Sequence, residues 1–364
     1  MRSALTITLL ALTALLAAAQ PQATWLERQH DFGVILEENG KVTCSMRLVN
    51  TGNQPLIIMK AQAGCGCTGI TYPQEPIQPG DTATVDISYN PSGRPGEFSK
   101  DVVIHTNTVP KRSTLEIIGN VIPTSATLDK QYPLRAGPLR ISMTMMPFGE
   151  VKKGKNRLEY LSTYNSSTDT LVVTVRGHKP HINPAFVPDT LPPAHVAALT
   201  VHYKADRAPR WGLNEDTLTL ECRTLGAKPD DTLGTADVLV IAQVVETFDH
   251  LTDKQLQDAP VVAVDCGDRL DFGSVVKGET ATRTFIVTNK GKDNLAIRRL
   301  WVPEGTGITI SADKQEIKRG KKATVSVTVD TSVIQDDLIN IPLTLMCNDP
   351  DNPRQVIRLV GIID

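Results

Sequence analysis

The chain has 364 residues, with 38 basic and 40 acidic side chains, a formal net charge of −2 and 40% hydrophobic residues. A single hydrophobic core rarely organises so long a chain, so two to four domains of roughly 100–150 residues each are expected. The even charge balance excludes a dedicated polyanion binder, so neither nucleic acid nor an anionic membrane surface is an expected partner.

In chain order, the first element is a leader. Met1-Arg2-Ser3 precedes an apolar run from Ala4 to Ala19 that closes on three alanines before Gln20 and Pro21. A short positive start, an apolar middle and small residues at the end describe a cleavable secretory signal, residues 1–19, cut between Ala19 and Gln20. The run falls short of the roughly 20 residues a membrane helix needs, and no second long apolar run follows. The mature chain is therefore expected in the periplasm, at the cell surface or outside the cell, with no integral membrane span.

Beyond the leader, short blocks of alternating apolar and polar residues recur, rich in Val, Ile and Thr and bounded by Gly, Asn or Pro. That is strand chemistry, and helical periodicity is nearly absent. In Thr324-Val325-Ser326-Val327-Thr328-Val329 the valines face one core and the hydroxylated residues face water, as in an antiparallel sheet with one wet side. Three domains are predicted, over 24–123, 140–247 and 261–364, joined where periodicity lapses near Pro123 to Leu139 and Thr247 to Ala263.

An internal repeat supports this division. Asp31-Phe32-Gly33 matches Asp271-Phe272-Gly273, and Asn50 falls on Asn289 within the turns Asn50-Thr51-Gly52 and Asn289-Lys290-Gly291. Further on, Ile77-Gln78-Pro79-Gly80 matches Ile317-Lys318-Arg319-Gly320, and Gly119 matches Gly361. A weaker middle copy carries Phe148-Gly149 and places Asn165 in the turn. The Asn side-chain oxygen is expected to cap each turn while Gly supplies a positive φ. Short strands with a turn about every 8–12 residues, in copies of roughly 100 residues, predict an all-β chain of tandem immunoglobulin-like sandwiches.

Six cysteines are too few to hold a chain of this size together by disulfides, although export makes pairing possible. Cys65-Gly66-Cys67 has the most chemical potential, because in an extended segment residues two apart face the same way. Three outcomes are open: a local disulfide that cycles as a redox couple, a soft-metal site for Cu(I) or Zn, or ordinary structural bridges with Cys44 as one partner. The third copy has Glu304-Gly305-Thr306 there, so the sandwich itself does not require the sulfurs.

Other candidates have plainer readings. His178, His181, His195 and His202 read as scattered surface histidines. Asn348-Asp349-Pro350-Asp351-Asn352 could attract Ca²⁺ through its oxygens, yet it spells a turn between strands. Trp211 and Trp301 read as core or linker packing rather than exposed binding aromatics. Asn165-Ser166-Ser167 fits a glycosylation acceptor only in a eukaryotic secretory route. No Gly-rich phosphate loop, Gly-x-Ser-x-Gly elbow or His-Glu-x-x-His is present, so no catalytic residue and no cofactor is predicted.

In order along the first copy, Asp31-Phe32-Gly33, Asn50-Thr51-Gly52, Gly64-Cys65-Gly66-Cys67-Thr68, Ile77-Gln78-Pro79-Gly80 and Gly93-Arg94-Pro95-Gly96 resemble the Domain of Unknown Function 1573 family. That group consists of exported bacterial proteins common in Bacteroidetes. The resemblance implies an immunoglobulin-like sandwich related to the domains of Hydin and abnormal-spindle proteins, acting as a binding or scaffold module. The expected function is thus a non-enzymatic scaffold binding a protein of the cell envelope, the alternative a thiol redox or copper- or zinc-binding role at Cys65 and Cys67.

Overall fold

The computed structural model describes residues 20–364. Strand residues dominate, and the sheets fall into three facing pairs. In the first sandwich, β1 (Ala23–Trp25), β3 (Val42–Asn50), β5 (Thr68–Thr71) and β6 (Thr82–Tyr89) form one sheet in the order β1-β3-β6-β5. The strands β2 (Gln29–Leu36), β4 (Ile58–Ala63), β7 (Gly96–Thr106) and β8 (Arg112–Ile122) form the other, in the order β2-β8-β7-β4. Alternation places Met46, Leu48, Val85 and Ile87 of one sheet against Val102, Ile104, Leu115 and Ile117 of the other, each fully buried. Burial of such side chains contributes roughly 1.5–3 kcal/mol apiece.

The third sandwich repeats this order. Val262–Val264, Thr280–Asn289, Lys322–Asp330 and Ile308–Ala312 form one sheet; Arg269–Val275, Arg354–Ile363, Leu338–Cys347, Leu295–Trp301 and Glu316–Ile317 form its partner. The middle pair has the same plan with Phe148, Leu199, Tyr203, Leu218 and Val240 in its core.

The repeated Asp-Phe-Gly triplet is a β-bulge. Strand β2 runs parallel to β8, and the register shifts between Asp31 and Val34. Asp31 Oδ1 accepts the Gly33 N–H at 2.7 Å, and Gly33 takes φ +65°. The third copy shifts between Asp271 and Ser274, with Asp271 Oδ1 accepting from Gly273 at 2.9 Å and Gly273 at φ +71°. Each bulge drives a carbonyl toward the facing strand. A Cβ on Gly119 would lie 3.0 Å from the Gly33 oxygen, and one on Gly361 the same distance from Gly273, so glycine is required opposite as well.

The Asn corners are built alike. Asn50, Asn165 and Asn289 are each fully buried. Asn289 Nδ2 donates to the carbonyls of Asp293 and Ile317 at 2.7 and 2.8 Å, and its Oδ1 accepts from Gly291 at 2.9 Å. Asn50 does the same with Gln54, Ile77 and Gly52, and Asn165 with Asp169, Leu191 and Ser167. The predicted side-chain cap is present, but the reason for the glycine differs from the expected one. Gly52 and Gly291 do not have positive φ; a Cβ there would strike the backbone of Gln20 to Gln22 or of Ala259 to Val261, where the first strand crosses the corner. Positive φ occurs instead at Gly80 (+86°) and Gly320 (+67°), and the middle copy holds Ala194 at φ +60° in that place.

The segments where periodicity lapses are not structureless. Thr124 caps α1 (Ser125–Gln131), and Thr252 with Gln255 forms a capping box on α2 (Asp253–Asp258). Leu134–Ala136, inside the first of these segments, pairs with Leu139–Ile141 as an edge of the second sandwich.

Candidate functional site

Strand β4 leads into the turn that carries Cys65 and Cys67, whose sulfurs are joined in a disulfide with the Cα atoms 5.3 Å apart. Gly66 is exposed at the tip, Cys65 is half-buried and Cys67 is buried. The Thr68 hydroxyl lies 3.5 Å from the Cys65 sulfur and 3.7 Å from that of Cys67, and Asn90 N–H donates to the Cys67 carbonyl at 2.9 Å. Bonded in this way, the pair offers no thiolate to a metal.

Cys44 is not a partner in this bridge, contrary to one expectation. It is buried as a free thiol on β3, and burial, followed by the nearby Glu27 carboxylate, pushes its pKa up to about 11. In the third sandwich Glu304-Gly305-Thr306 makes the equivalent turn, held by the Thr306 hydroxyl donating to the Pro303 carbonyl at 2.9 Å. Among the described residues no group of three His, Cys, Asp or Glu has metal-holding geometry.

Reading His181 as a surface residue was wrong. It is 3% exposed, and its Nε2 lies 2.8 Å from Asp216 Oδ2, while Lys179 Nζ donates to Asp216 Oδ1 at 2.5 Å. Asp216, Asn214 and Tyr203 all face the interior of the second sandwich, where the Tyr203 hydroxyl and Asn214 Oδ1 have no hydrogen-bond partner among the described residues. Burial raises the Asp216 pKa, but the hydrogen bonds from Lys179 and His181 outweigh it, so the carboxyl is held below its usual range. One signal was legible beforehand: Asn214 and Asp216 interrupt the inward alternation of Gly212–Thr224.

The tryptophans mark a seam. Residues at one pole of the second sandwich rest on the outward sheet face of the third. Arg299 Nη1 donates to the Trp211 carbonyl at 2.7 Å and to that of Leu213 at 3.1 Å. The Arg298 guanidinium lies 5.1 Å from the Trp211 ring centre and bonds Glu246 at 2.7 Å. Arg299 also lies 5.6 Å from the Trp301 ring, and Gly212 is pressed against the Met346 sulfur. Leu343 to Cys347 are consequently buried in succession rather than alternately. A small cleft of about 150 Å³ lies along this seam, between Leu213, Arg299, Trp301 and Arg354.

A second seam joins the first two sandwiches. Glu37 accepts from the backbone of Gly93 at 2.7 Å and of Thr124 at 2.8 Å, and from the Thr127 hydroxyl at 2.8 Å. His195 Nε2 meets Glu97 at 2.9 Å.

The remaining candidates serve structure. Asp349 is fully buried; its Oδ2 accepts from Val262 N–H at 2.8 Å and its Oδ1 from Asp351 and Asn352 at 2.9 and 3.2 Å. Asn348 Oδ1 accepts from Ala296 at 2.7 Å. Asn165, the glycosylation candidate, has both amide donors engaged inside the corner. The segment expected to be a leader, residues 1–19 including Ala19, lies outside the described residues, and Gln20 is exposed.

Facing sheets of Greek-key-like order, repeated with the same bulge and corner, define an all-β protein of tandem immunoglobulin-like sandwiches. Residues 23–121, the first sandwich, match the family described as protein of unknown function (DUF1573). Residues 262–361 match the HYDIN/CFA65/VesB-like, Ig-like domain. No curated protein matches the chain.

Among solved structures, a protein of unknown function from Porphyromonas gingivalis W83 is 21% identical, covers 62% of this chain and 100% of its own, and has a TM-score of 0.46. The PapD-like domain 7 of human CEP192 is 13% identical over 32% of this chain and 93% of its own, with a TM-score of 0.26. Mouse Cadherin-23 EC22-24 is 9% identical over 94% of this chain and 99% of its own, with a TM-score of 0.23.

Proposed function

We propose that the protein is an exported, non-catalytic scaffold whose sandwiches present sheet faces to a protein partner of the cell envelope. The observation that carries this reading is chemical: the polar side chains described above hold corners, bulges and seams, while a sheet face of the second sandwich leaves large apolar side chains exposed. On that face Tyr160 is 69% exposed and Leu158 52%, with Val187 54% exposed on the edge strand beside them. Exposed aromatic and aliphatic side chains on a regular face are the usual anchors of protein recognition.

The test is capture of envelope proteins by the purified chain and by a Tyr160→Asp, Leu158→Asp variant. A specific protein retained by the first and lost by the second is expected. Equal recovery by both, or nothing specific with either, would count against the reading. N-terminal sequencing of the exported protein is expected to begin at Gln20.

A thiol role is the second reading, favoured by the Cys65–Cys67 disulfide at a surface turn. An external dithiol would deliver two electrons and two protons to the disulfide, yielding two thiols and its own disulfide. The reduced pair would be the form able to take Cu(I) or Zn. Titration of the two thiols against a glutathione buffer tests it, and a pair that stays oxidised in strongly reducing buffer would exclude cycling.

A further inference from the structure

The seam between the second and third sandwiches has counterpart surfaces on the first and on the third sandwich. The strand pairings place corresponding residues of the three copies in register. Leu213 pairs with Gln243 in the second copy, as Leu338 pairs with Ile362 in the third, each just past the bulge in the neighbouring parallel strand. Trp211, Gly212 and Leu213, whose pole carries the carbonyls that accept from Arg299, therefore correspond to Asp336, Asp337 and Leu338.

On the receiving side, Arg299 pairs with Met346 and Met346 with Arg354, making a row across the outward face of the third sandwich. In the first sandwich Lys60 pairs with His105 and His105 with Arg112, following the same register shift in β4. A cation flanks the row on both sides in each case.

Among the described residues nothing covers either counterpart. The pole of the third sandwich exposes Leu338 at 60%, with its cross-strand neighbour Ile362 at 55% and Val276 at 55%. Asp336 and Asp337 stand exposed beside them, and on the first sandwich Lys60 and Arg112 are exposed as well. The pole is apolar and acidic, and the receiving row is basic.

We infer that the chain associates head to tail, the pole around Leu338 of one copy docking on the Lys60–His105–Arg112 face of the next as Leu213 docks on Arg299 within the chain. Lys60 then meets the backbone and carboxylates of Asp336 and Asp337, where Arg299 meets the carbonyls of Trp211 and Leu213. Such a contact joins two different surfaces, so it extends into a filament or closes into a ring instead of stopping at a symmetric dimer. The inference is independent of the envelope partner, because a scaffold that captures another protein through Tyr160 has no need of self-association.

Sedimentation of the purified protein over a wide concentration range tests it. The mass is expected to rise beyond dimer with concentration and to fall with added salt. Lys60→Glu and Asp337→Lys, each alone, are expected to remain monomeric, and Leu338→Lys likewise. An equimolar mixture of Lys60→Glu with Asp337→Lys is expected to pair, since each chain still carries one intact surface. Circular dichroism and thermal melting confirm that these exposed substitutions leave the fold unchanged. A wild-type protein that stays monomeric throughout, association that survives the substitutions, or a mixture that stays monomeric overturns the inference.

Discussion

His181 and Asp216 are joined inside the second sandwich, Nε2 to Oδ2 at 2.8 Å, with Lys179 closing on the other carboxylate oxygen. Removing one partner of such a buried group leaves the others without compensation, which typically costs about 3–5 kcal/mol. Asp216→Asn is therefore expected to lower the stability of the second sandwich by about 3 kcal/mol near neutral pH, measured by urea unfolding.

The same carboxyl carries a pH dependence. Its folded pKa lies below the ordinary carboxylate value, so its contribution is fully present above the unfolded pKa of about 4 and is lost as pH falls through the lower folded value. The stability gap between wild type and Asp216→Asn is expected to narrow from about pH 5 downward. A gap that stays constant to pH 2 would refute this.

The Asn corners should be sensitive to small changes. Asn289→Ala strands two carbonyl groups and one N–H, each costing roughly 1–3 kcal/mol when buried, so a loss of about 3 kcal/mol is expected in the third sandwich. Asn289→Asp should be worse at neutral pH, because a carboxylate then faces the carbonyls of Asp293 and Ile317. Part of that loss should return in acid, where the protonated group can donate; unfolding curves at two pH values decide.

Two glycines in one turn region should respond differently. Gly320 has φ +67° and open space around it, so Gly320→Ala is expected to cost only the left-handed penalty of about 1–2 kcal/mol. Gly291→Ala places a methyl group against the backbone of Ala259 to Val261, and should cost more while releasing the Val262 strand. Amide exchange at Val262 to Val264 distinguishes them, since only the second variant should lose protection there.

Cysteine reactivity should sort by burial. In the native protein without reductant, Cys266 is half-exposed and is expected to be the first thiol alkylated, while Cys44, Cys222 and Cys347, whose pKa values burial pushes up to about 11, stay unmodified. After mild reduction Cys65 and Cys67 should join Cys266 in the mass spectrum. Replacing both with Ser is expected to cost only about 1–2 kcal/mol, because the loop they close is very short.

Alternation of apolar side chains, the placement of Asn50, Asn165 and Asn289, and the Asp-Phe-Gly pairs were enough to read tandem sandwiches from the sequence. Strand periodicity and turn chemistry act between residues close in the chain, so the letters record them directly. The docking of Arg299 on Trp211 and Leu213, the burial of His181 against Asp216 and the crossing of a strand over Gly291 could not be read that way. Each joins residues brought together only when whole sheets pack, and the local sequence around His181 looks like that of any exposed loop. Apart from the inward positions of Asn214 and Asp216, tertiary structure decided which polar side chains would be enclosed, because the cost of burying them is met by partners from distant strands.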